Sequence, residues 1–453
     1  MKSSLEEYLQ EQRAQGRLDS QGRFTIDLSL AVEKLRQYQL ADPSFYVLKV
    51  IQAGVSGGAE AVEVRLRGAE VEVLARGVRP EMLRLGRLMA CLERPQEFSH
   101  LPEGHLVVGL NAALSLKPEL LEWLQWNGES GSVLTVCPDY QELREVERAP
   151  ARDGKPVFRF RMRKGGAGFL AGLRERLRRN SAEHQAVMRR CGYSSVPVTL
   201  DGVRVRTWGT EPVPRAAWNT YYPHEFRLAE RLVVSSGQPA LELPARSCEI
   251  RFHRGRLVGR AGTLAFPEVF LLDVVPPDGG SENGGRDLPR HLLCRAGISL
   301  PLALRGPGQV ILVKAGVALD PVEVDLGCPG ALAVLPGDGV ETDLSQFQPR
   351  YDSELEERLK WSREQVQELL GLVKANVKDL KWRLLSQRTL LNVARGAAGA
   401  SSAWVVPVLL SGNLYLLPLG IPAALVGAFH AVGGHESQRM SAELRENVTS
   451  HLP

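Results

Sequence analysis

Two stretches within the first 110 residues carry groups that could take part in phosphate or metal chemistry. Lys49 and Gln52 lie three residues apart, and a glycine-containing stretch runs from Gly104 to Gly109 in front of an apolar segment. A lysine acts as a general base only when it is strongly desolvated, whereas a glutamine amide oxygen can reach a magnesium ion. Backbone N–H groups at the beginning of a helix bind phosphate groups. These residue types permit such chemistry without specifying it.

Other kinds of catalytic or metal site find little support in the residue spacing. The cysteines are far apart, with no CxxC pair and no histidine at zinc spacing, so we expect neither a zinc site nor a disulfide framework. This cysteine usage fits a reducing compartment. No Ser-His-Asp or Cys-His arrangement follows from the spacing, and the nine histidines are scattered.

Composition and charge place the chain among ordinary globular proteins. It has 453 residues, of which 44% are hydrophobic and 24% charged, and this length suggests two or three domains. The net charge of +4 is weak support for a polyanionic partner. An Arg-rich helix is predicted from Phe169 to Arg190, but Glu175 and Glu183 balance it and no aromatic residues interleave. We therefore expect a solvated face and no nucleic-acid partner.

The elements that would position Lys49 and Gln52 follow from hydrophobic periodicity. Tyr46, Val47, Val50 and Ile51 predict the buried face of a helix that ends at the glycine break 54–58. Two alternating strands around residues 62–66 and 71–73, joined by a turn at 68, predict an antiparallel pair with one buried face each. Beyond them we predict a helix at 79–92, a glycine loop at 104–109, strands at "SVLTVC" and "VFRFRMR", and a hairpin that turns at 201–202.

This order of elements resembles the GHKL superfamily, the fold of DNA gyrase, the ninety-kilodalton heat-shock chaperone, histidine kinases and MutL. The resemblance covers about residues 20 to 205. "LKVIQA" is similar to the E-L-x-x-N-A helix motif of the family, and "LARGVRPEML" occupies the place of its Asp-x-Gly-x-Gly turn. "EGHLVVGLNAALSL" is similar to the second glycine box, and "VPVTLDGVRV" to the strand-turn pair that often closes the domain. The resemblance implies an α+β sandwich, with a mixed, mostly antiparallel sheet and helices on one face.

The resemblance also implies ATP and magnesium bound under a flexible lid, but the functional positions differ from the family. The family's catalytic Glu, magnesium-binding Asn and adenine-binding Asp correspond here to Leu48, Gln52 and Ala75. Leucine cannot act as a base, alanine cannot accept a hydrogen bond, and the glutamine amide lies one methylene further out. We therefore expect no catalytic residue, no metal site and no cofactor, with ATP and magnesium as the alternative.

By family position alone, four residues remain as candidates for cofactor binding: Gln52, Gly77, Gly104 and Gly109. Two other interpretations of residues 1–205 stay open, an unrelated α+β domain and a working ATPase. Residues 206–350 show short strands separated by Gly and Pro turns, which predicts a second α+β domain with a flexible insertion at 276–285.

A long amphipathic helix is predicted from 351 to 395. Apolar residues recur in it at alternating steps of four and three, which is typical of a coiled-coil seam that pairs two copies, binds a protein partner or folds back on the globular domains. The seam residues are Val366, Leu370, Val373, Val377, Leu380 and Leu384.

The segment from 396 to 435 contains no Asp, Glu, Lys or Arg and is followed by a polar tail at 436–453. About 20 apolar residues span a membrane, so this hydrophobic segment predicts one span or a tight helical hairpin. The basic residues that precede it place the bulk of the chain on the cytoplasmic side. The alternative is a cytoplasmic soluble protein in which the segment forms a buried hairpin.

Taken together, these features predict a non-catalytic GHKL-like scaffold or sensor that is tethered to a membrane through its C-terminal tail. Two alternatives are an ATP-binding, chaperone-like ATPase with atypical motif residues and a soluble α+β oligomer with a buried apolar hairpin.

Overall fold

The computed structural model describes residues 40, 42–79, 101–147, 155–165, 182–205, 227–237, 240–244, 250–253, 256–259, 269–276, 291–301, 306–343 and 346–376. Several predicted features lie outside these ranges. They are the helix at 80–92, the Arg-rich helix up to residue 181, the insertion at 277–285, and the chain from 377 onward, including the hydrophobic segment.

The described part of the chain is α+β, with two mixed sheets and few helices. The first half contains α1 (Tyr46–Ser56), β1 (Ala61–Arg67), β2 (Glu70–Arg76), α2 (Pro102–Ser115), β3 (Leu120–Trp126), β4 (Gly131–Val136), β5 (Gln141–Val146), β6 (Val157–Arg163), α3 (Ala182–Arg190), β7 (Val198–Leu200) and β8 (Val203–Arg204). The second half contains β9 (Arg227–Val234), β10 (Leu241–Pro244), β11 (Ile250–His253), β12 (Arg256–Gly259), β13 (Val269–Val275), β14 (His291–Pro301), β15 (Gly308–Lys314), β16 (Val317–Ala318), β17 (Val322–Val324), β18 (Leu332–Pro336) and α4 (Ser353–Ala375).

Helix α1 and the β1–β2 hairpin confirm the predictions from periodicity. The side chain of Asp42 accepts the N–H of Ser44 at 2.8 Å and so fixes a short turn that leads into α1. Nine of the eleven residues of α1 are buried. Gly68 adopts φ 61° in the turn between β1 and β2, a left-handed conformation that glycine reaches without strain.

The first sheet has the order β5-β4-β3-β6-β2-β1-β7-β8. Every pairing in it is antiparallel except β1 with β7, which is parallel. Helix α1 packs on the face that carries Val73 and Phe160, and α2 packs on α1. The opposite face has a small apolar cluster of its own around Leu124 and Trp126.

The prediction of a glycine loop at 104–109 is wrong, because these residues lie inside helix α2. Pro102 opens the helix, where its missing N–H costs no hydrogen bond. Gly109 makes the close approach to α1 possible. A Cβ there would lie 3.1 Å from Val50 Cγ2 and 3.2 Å from Lys49 Cβ.

The second sheet has the order β12-β11-β13-β9-β14-β18-β15-β16, with β10 and β17 paired at its side. Strand β9 lies inside this sheet and is buried except at its last residue. Helix α4 packs over β9 and β14 through one apolar side that includes Val366, Leu370 and Val373. This part of the predicted seam therefore folds back on the globular region.

Helix α4 ends at Ala375, where the Asn376 side chain donates to the carbonyl of Leu372 at 2.8 Å. Its predicted continuation to 395 lies outside the described residues. Among the helices of the described ranges, none has the length and apolar character needed to cross a membrane.

Candidate functional site

Gln52 occupies the centre of the contact between α1 and the second sheet. Its side chain is fully buried. Its Oε1 accepts a hydrogen bond from Lys49 Nζ at 2.9 Å, and its Nε2 donates to the backbone carbonyl of Lys314 at 3.0 Å. Both ends of the amide are therefore engaged in joining the two halves of the described chain.

Lys49 is enclosed beside it. Its Nζ donates to Gln346 Oε1 at 3.0 Å and lies 4.3 Å from the centre of the Phe347 ring. Burial lowers the pKa of Lys49 well below its usual range, and the nearby Lys314 lowers it further. The desolvation that a lysine base requires is present, but amide oxygens and an aromatic ring occupy the surroundings of the nitrogen.

Leu48 and Ala75 are both fully buried as well. A Cβ added at Gly54 of α1 would lie 2.9 Å from the Ala75 Cβ, so the helix backbone passes directly over that alanine. A longer polar side chain at position 75 has no room in this packing.

The remaining residues singled out by family position also serve packing. Gly77 has φ 72°, its N–H donates to the carbonyl of Pro156, and a Cβ there would lie 2.7 Å from Glu60 Cγ. Gly104 is buried in the first turn of α2, and Gly109 faces α1. At positions 48, 52 and 75 the described contacts leave neither a carboxylate nor an unbonded amide for a magnesium–nucleotide complex. Within the described ranges no group of three or more His, Cys, Asp or Glu side chains could hold a metal ion.

Arg190, at the end of α3, forms a second link between the halves. Its guanidinium donates to the carbonyl of Ala318 at 3.2 Å and to Asp320 Oδ1 at 2.5 Å. The same group lies over the rings of Phe45 and Phe347, with its Cζ at 4.7 and 5.3 Å from their centres. This part of the Arg-rich helix is therefore bound within the chain.

A cavity of about 410 Å³ opens next to these links. Its walls come from both halves, which sequence reasoning did not bring together. The lining residues are Val55, Ser56, His105, Tyr193, Ser195, Ala240, Leu241, Val313, Lys314, Ala315, Gly316, Pro336, Asp338 and Gly339.

Lys314 and Asp338 bring opposite charges to this cavity. Burial lowers the pKa of Lys314, and Asp338 partly offsets this effect. Asp338 is exposed but partly desolvated, which raises its pKa, and Arg358, a hydrogen bond from its own backbone and Lys314 partly offset this effect. Lys314 Nζ donates to the carbonyl of Val340 at 3.4 Å, and the two charged groups interact without a direct hydrogen bond.

A tight turn between β15 and β16 places Lys314 at the cavity. Ala315 and Gly316 have φ values of 48° and 76°, which is the pattern of a type I′ hairpin turn. A Cβ at Gly316 would lie 2.5 Å from Ser194 Oγ, so the turn touches the first half of the chain. The letters "VKAGVA" carry only a weak turn signal.

No protein-family model matches the chain, and no curated protein matches it significantly.

Proposed function

We propose that this chain is a non-catalytic GHKL-like scaffold or sensor, tethered to a membrane by residues 396–435 with its bulk on the cytoplasmic side. The observation that carries the proposal is Gln52. The one amide that could still bind magnesium is bonded to Lys49 and to the backbone of Lys314, and so holds the two sheets together. A protein built in this way acts by binding and by the arrangement of its two halves.

The order of the described elements supports the GHKL part of the proposal. Helix α1, the β1–β2 hairpin, helix α2, a run of antiparallel strands, helix α3 and the β7–β8 hairpin follow one another as the family resemblance implies. The fold by itself says nothing about activity, so the function rests on the side chains at the site.

The uncharged segment at 396–435 and the basic residues before it support the membrane tether. The first part of the predicted helix in front of it, α4, is packed on the second sheet. A partner protein or a second copy would therefore meet the remainder of 351–395.

The test of the nucleotide question is titration of magnesium–ATP into the full chain held in nanodiscs, followed by calorimetry and thermal unfolding. Ligand at about 100 times its Kd stabilises a folded protein by about 2.7 kcal/mol, which is a clear shift of the midpoint. We expect neither heat nor a shift at millimolar ATP. Saturable binding would favour the chaperone-like ATPase instead.

The test of the tether is extraction of cell membranes with alkaline carbonate. We expect the full chain to stay with the membranes. Leu425→Arg should weaken retention, because an arginine near the centre of a span costs about 2.5–3.5 kcal/mol. The matched control Gln438→Arg, outside the uncharged segment, should be retained like the unchanged chain. Release of the unchanged chain would favour the soluble hairpin.

A further inference from the structure

We propose that the cavity between the two sheets binds a small zwitterion of the α-amino acid class, with Asp338 facing its ammonium group and Lys314 facing its carboxylate. The inference rests on the proposed sensor function in one respect, since the ligand would be the signal that is sensed. Its own basis is the charge, size and position of the cavity.

The charges of the cavity select a ligand that carries both signs. Among the lining residues, Lys314 supplies the ammonium group and Asp338 the carboxylate; Lys314 is buried, whereas Asp338 is exposed. A ligand with only a negative group would meet the Asp338 carboxylate at close range, and one with only a positive group would meet Lys314. A zwitterion pairs with both, and its carboxylate offsets the cost of holding the Lys314 ammonium group away from water.

Arg358 and the backbone of the 336–339 loop hold Asp338 in place at the edge of the cavity. The guanidinium of Arg358 donates to the backbone carbonyls of Pro336 and Asp338, and pairs with the Glu354 carboxylate at 2.7 Å. Arg358 therefore fixes the backbone of the 336–339 loop through its carbonyls, and its charge also lowers the pKa of the Asp338 carboxyl group, partly offsetting the rise from desolvation. The Lys314 ammonium group donates to the carbonyl of Val340 at 3.4 Å, which holds its side chain beside the same loop.

The size and lining of the cavity suit an amino acid with an apolar or hydroxyl side chain. Its volume of about 410 Å³ lies in the range of ligand pockets, about 300–1,000 Å³. Val55, Leu241 and Val313 offer apolar walls, and Ser56 and Ser195 offer hydroxyl groups. The charged pair would hold the backbone groups of the ligand, and these walls would select its side chain.

The position of the cavity gives binding a structural consequence. Val55, Ser56 and His105 belong to the first half of the chain, and Lys314 and Asp338 to the second. A ligand that contacts both halves favours the arrangement in which they are joined, by an amount that grows with its concentration relative to its Kd.

The experiment is thermal unfolding and calorimetry of the full chain in nanodiscs with each of the twenty L-amino acids in turn. We expect at least one of them to bind with one-to-one stoichiometry and to raise the unfolding midpoint. Two analogues of that amino acid, the amine without its carboxylate and the acid without its ammonium group, should each bind at least about tenfold more weakly. Absence of binding by all twenty, or equal binding of either analogue, would overturn the proposal.

Amino-acid substitutions test whether Asp338 and Lys314 form the binding site. Asp338→Asn and Lys314→Met should each weaken binding by at least about tenfold, since each leaves one ligand charge unpaired. Glu341→Gln removes an exposed carboxylate three residues from Asp338 and should leave binding unchanged. The analogue comparison on the unchanged chain decides the matter if a variant fails to fold. Loss of amino-acid binding in Glu341→Gln but not in Asp338→Asn would overturn the assignment.

The results of this titration and of the magnesium–ATP titration are separable. Amino-acid binding without ATP binding supports both proposals. If neither the amino acids nor ATP binds, the zwitterion proposal fails and the scaffold proposal stands. ATP binding contradicts the proposed function whatever the amino acids do.

Discussion

Replacement of Gly316 by alanine tests the contact between the β15–β16 turn and the first half of the chain. The backbone of Gly316 has φ 76°, and a Cβ there would lie 2.5 Å from Ser194 Oγ and 3.2 Å from Val55 Cγ2. The left-handed conformation costs an alanine about 1–2 kcal/mol, and overpacking costs about 1–3 kcal/mol. We therefore expect Gly316→Ala to lower the free energy of unfolding by roughly 2–5 kcal/mol.

Gly202 provides the matched control. It has φ 81°, but a Cβ there would meet nothing within 4 Å. Gly202→Ala should therefore cost only the conformational part, about 1–2 kcal/mol. The difference between the two variants, about 1–3 kcal/mol, measures the contact itself.

The assay is urea unfolding of the full chain and both variants, followed by tryptophan fluorescence. Ser194→Gly combined with Gly316→Ala should recover part of the loss, because it removes the side chain that the new methyl group strikes. Equal losses for Gly316→Ala and Gly202→Ala, with no recovery in the double variant, would refute this account of how the two halves meet.

Two further predictions use the same urea assay. Burial lowers the pKa of Lys49 in the folded chain. Between that pKa and the ordinary value of 10.5, the unfolded chain binds more protons than the folded chain. The free energy of unfolding therefore rises with pH by up to about 1.4 kcal/mol per pH unit. Lys49→Met should remove this rise, and a stability difference from the unchanged chain that stays constant between about pH 7 and about pH 10 would contradict the prediction. Asp352→Ala should destabilise the chain by about 0.5–2 kcal/mol, since Asp352 accepts the N–H of Leu355 at the start of α4 at 2.7 Å. Asp352→Asn keeps a hydrogen-bond acceptor and should lose less stability. Equal losses of stability in the two variants would contradict a capping role for Asp352.

The elements with one buried face were predictable from the sequence. The alternation in β1 and β2 matches their observed burial, because each strand has a single core side. The period of α1 predicted the helix, but its residues 46–54 are buried on every side. Strand β3 was missed because it is buried on both faces, with Trp123 in the main core and Trp126 in the cluster on the other side. Strand β5 was missed because it is exposed along nearly its whole length, and only its pairing with β4 makes it a strand.

The site was predictable only in part. Lys49 and Gln52 lie on one helix, and their spacing of three residues places both on the side that meets the second sheet. Their partners at Gln346 and Lys314 are 297 and 262 residues away in sequence from Lys49 and Gln52 respectively, and no local pattern connects them. The cavity is likewise formed by separate short segments whose only shared property is their place in the fold.

The packing around α1 also bears on whether a nucleotide site could be built at the positions that the GHKL resemblance indicates. A glutamate at position 48 would replace a fully buried leucine, and a buried carboxylate without a partner is protonated or destabilises the fold. An aspartate at position 75 would meet the α1 backbone at Gly54, because a Cβ added to Gly54 would already lie 2.9 Å from the Ala75 Cβ. The amide of Gln52 would have to leave the carbonyl of Lys314, and so loosen the contact between the two sheets. Each of these three changes therefore opposes the existing packing, which is consistent with the proposed non-catalytic function.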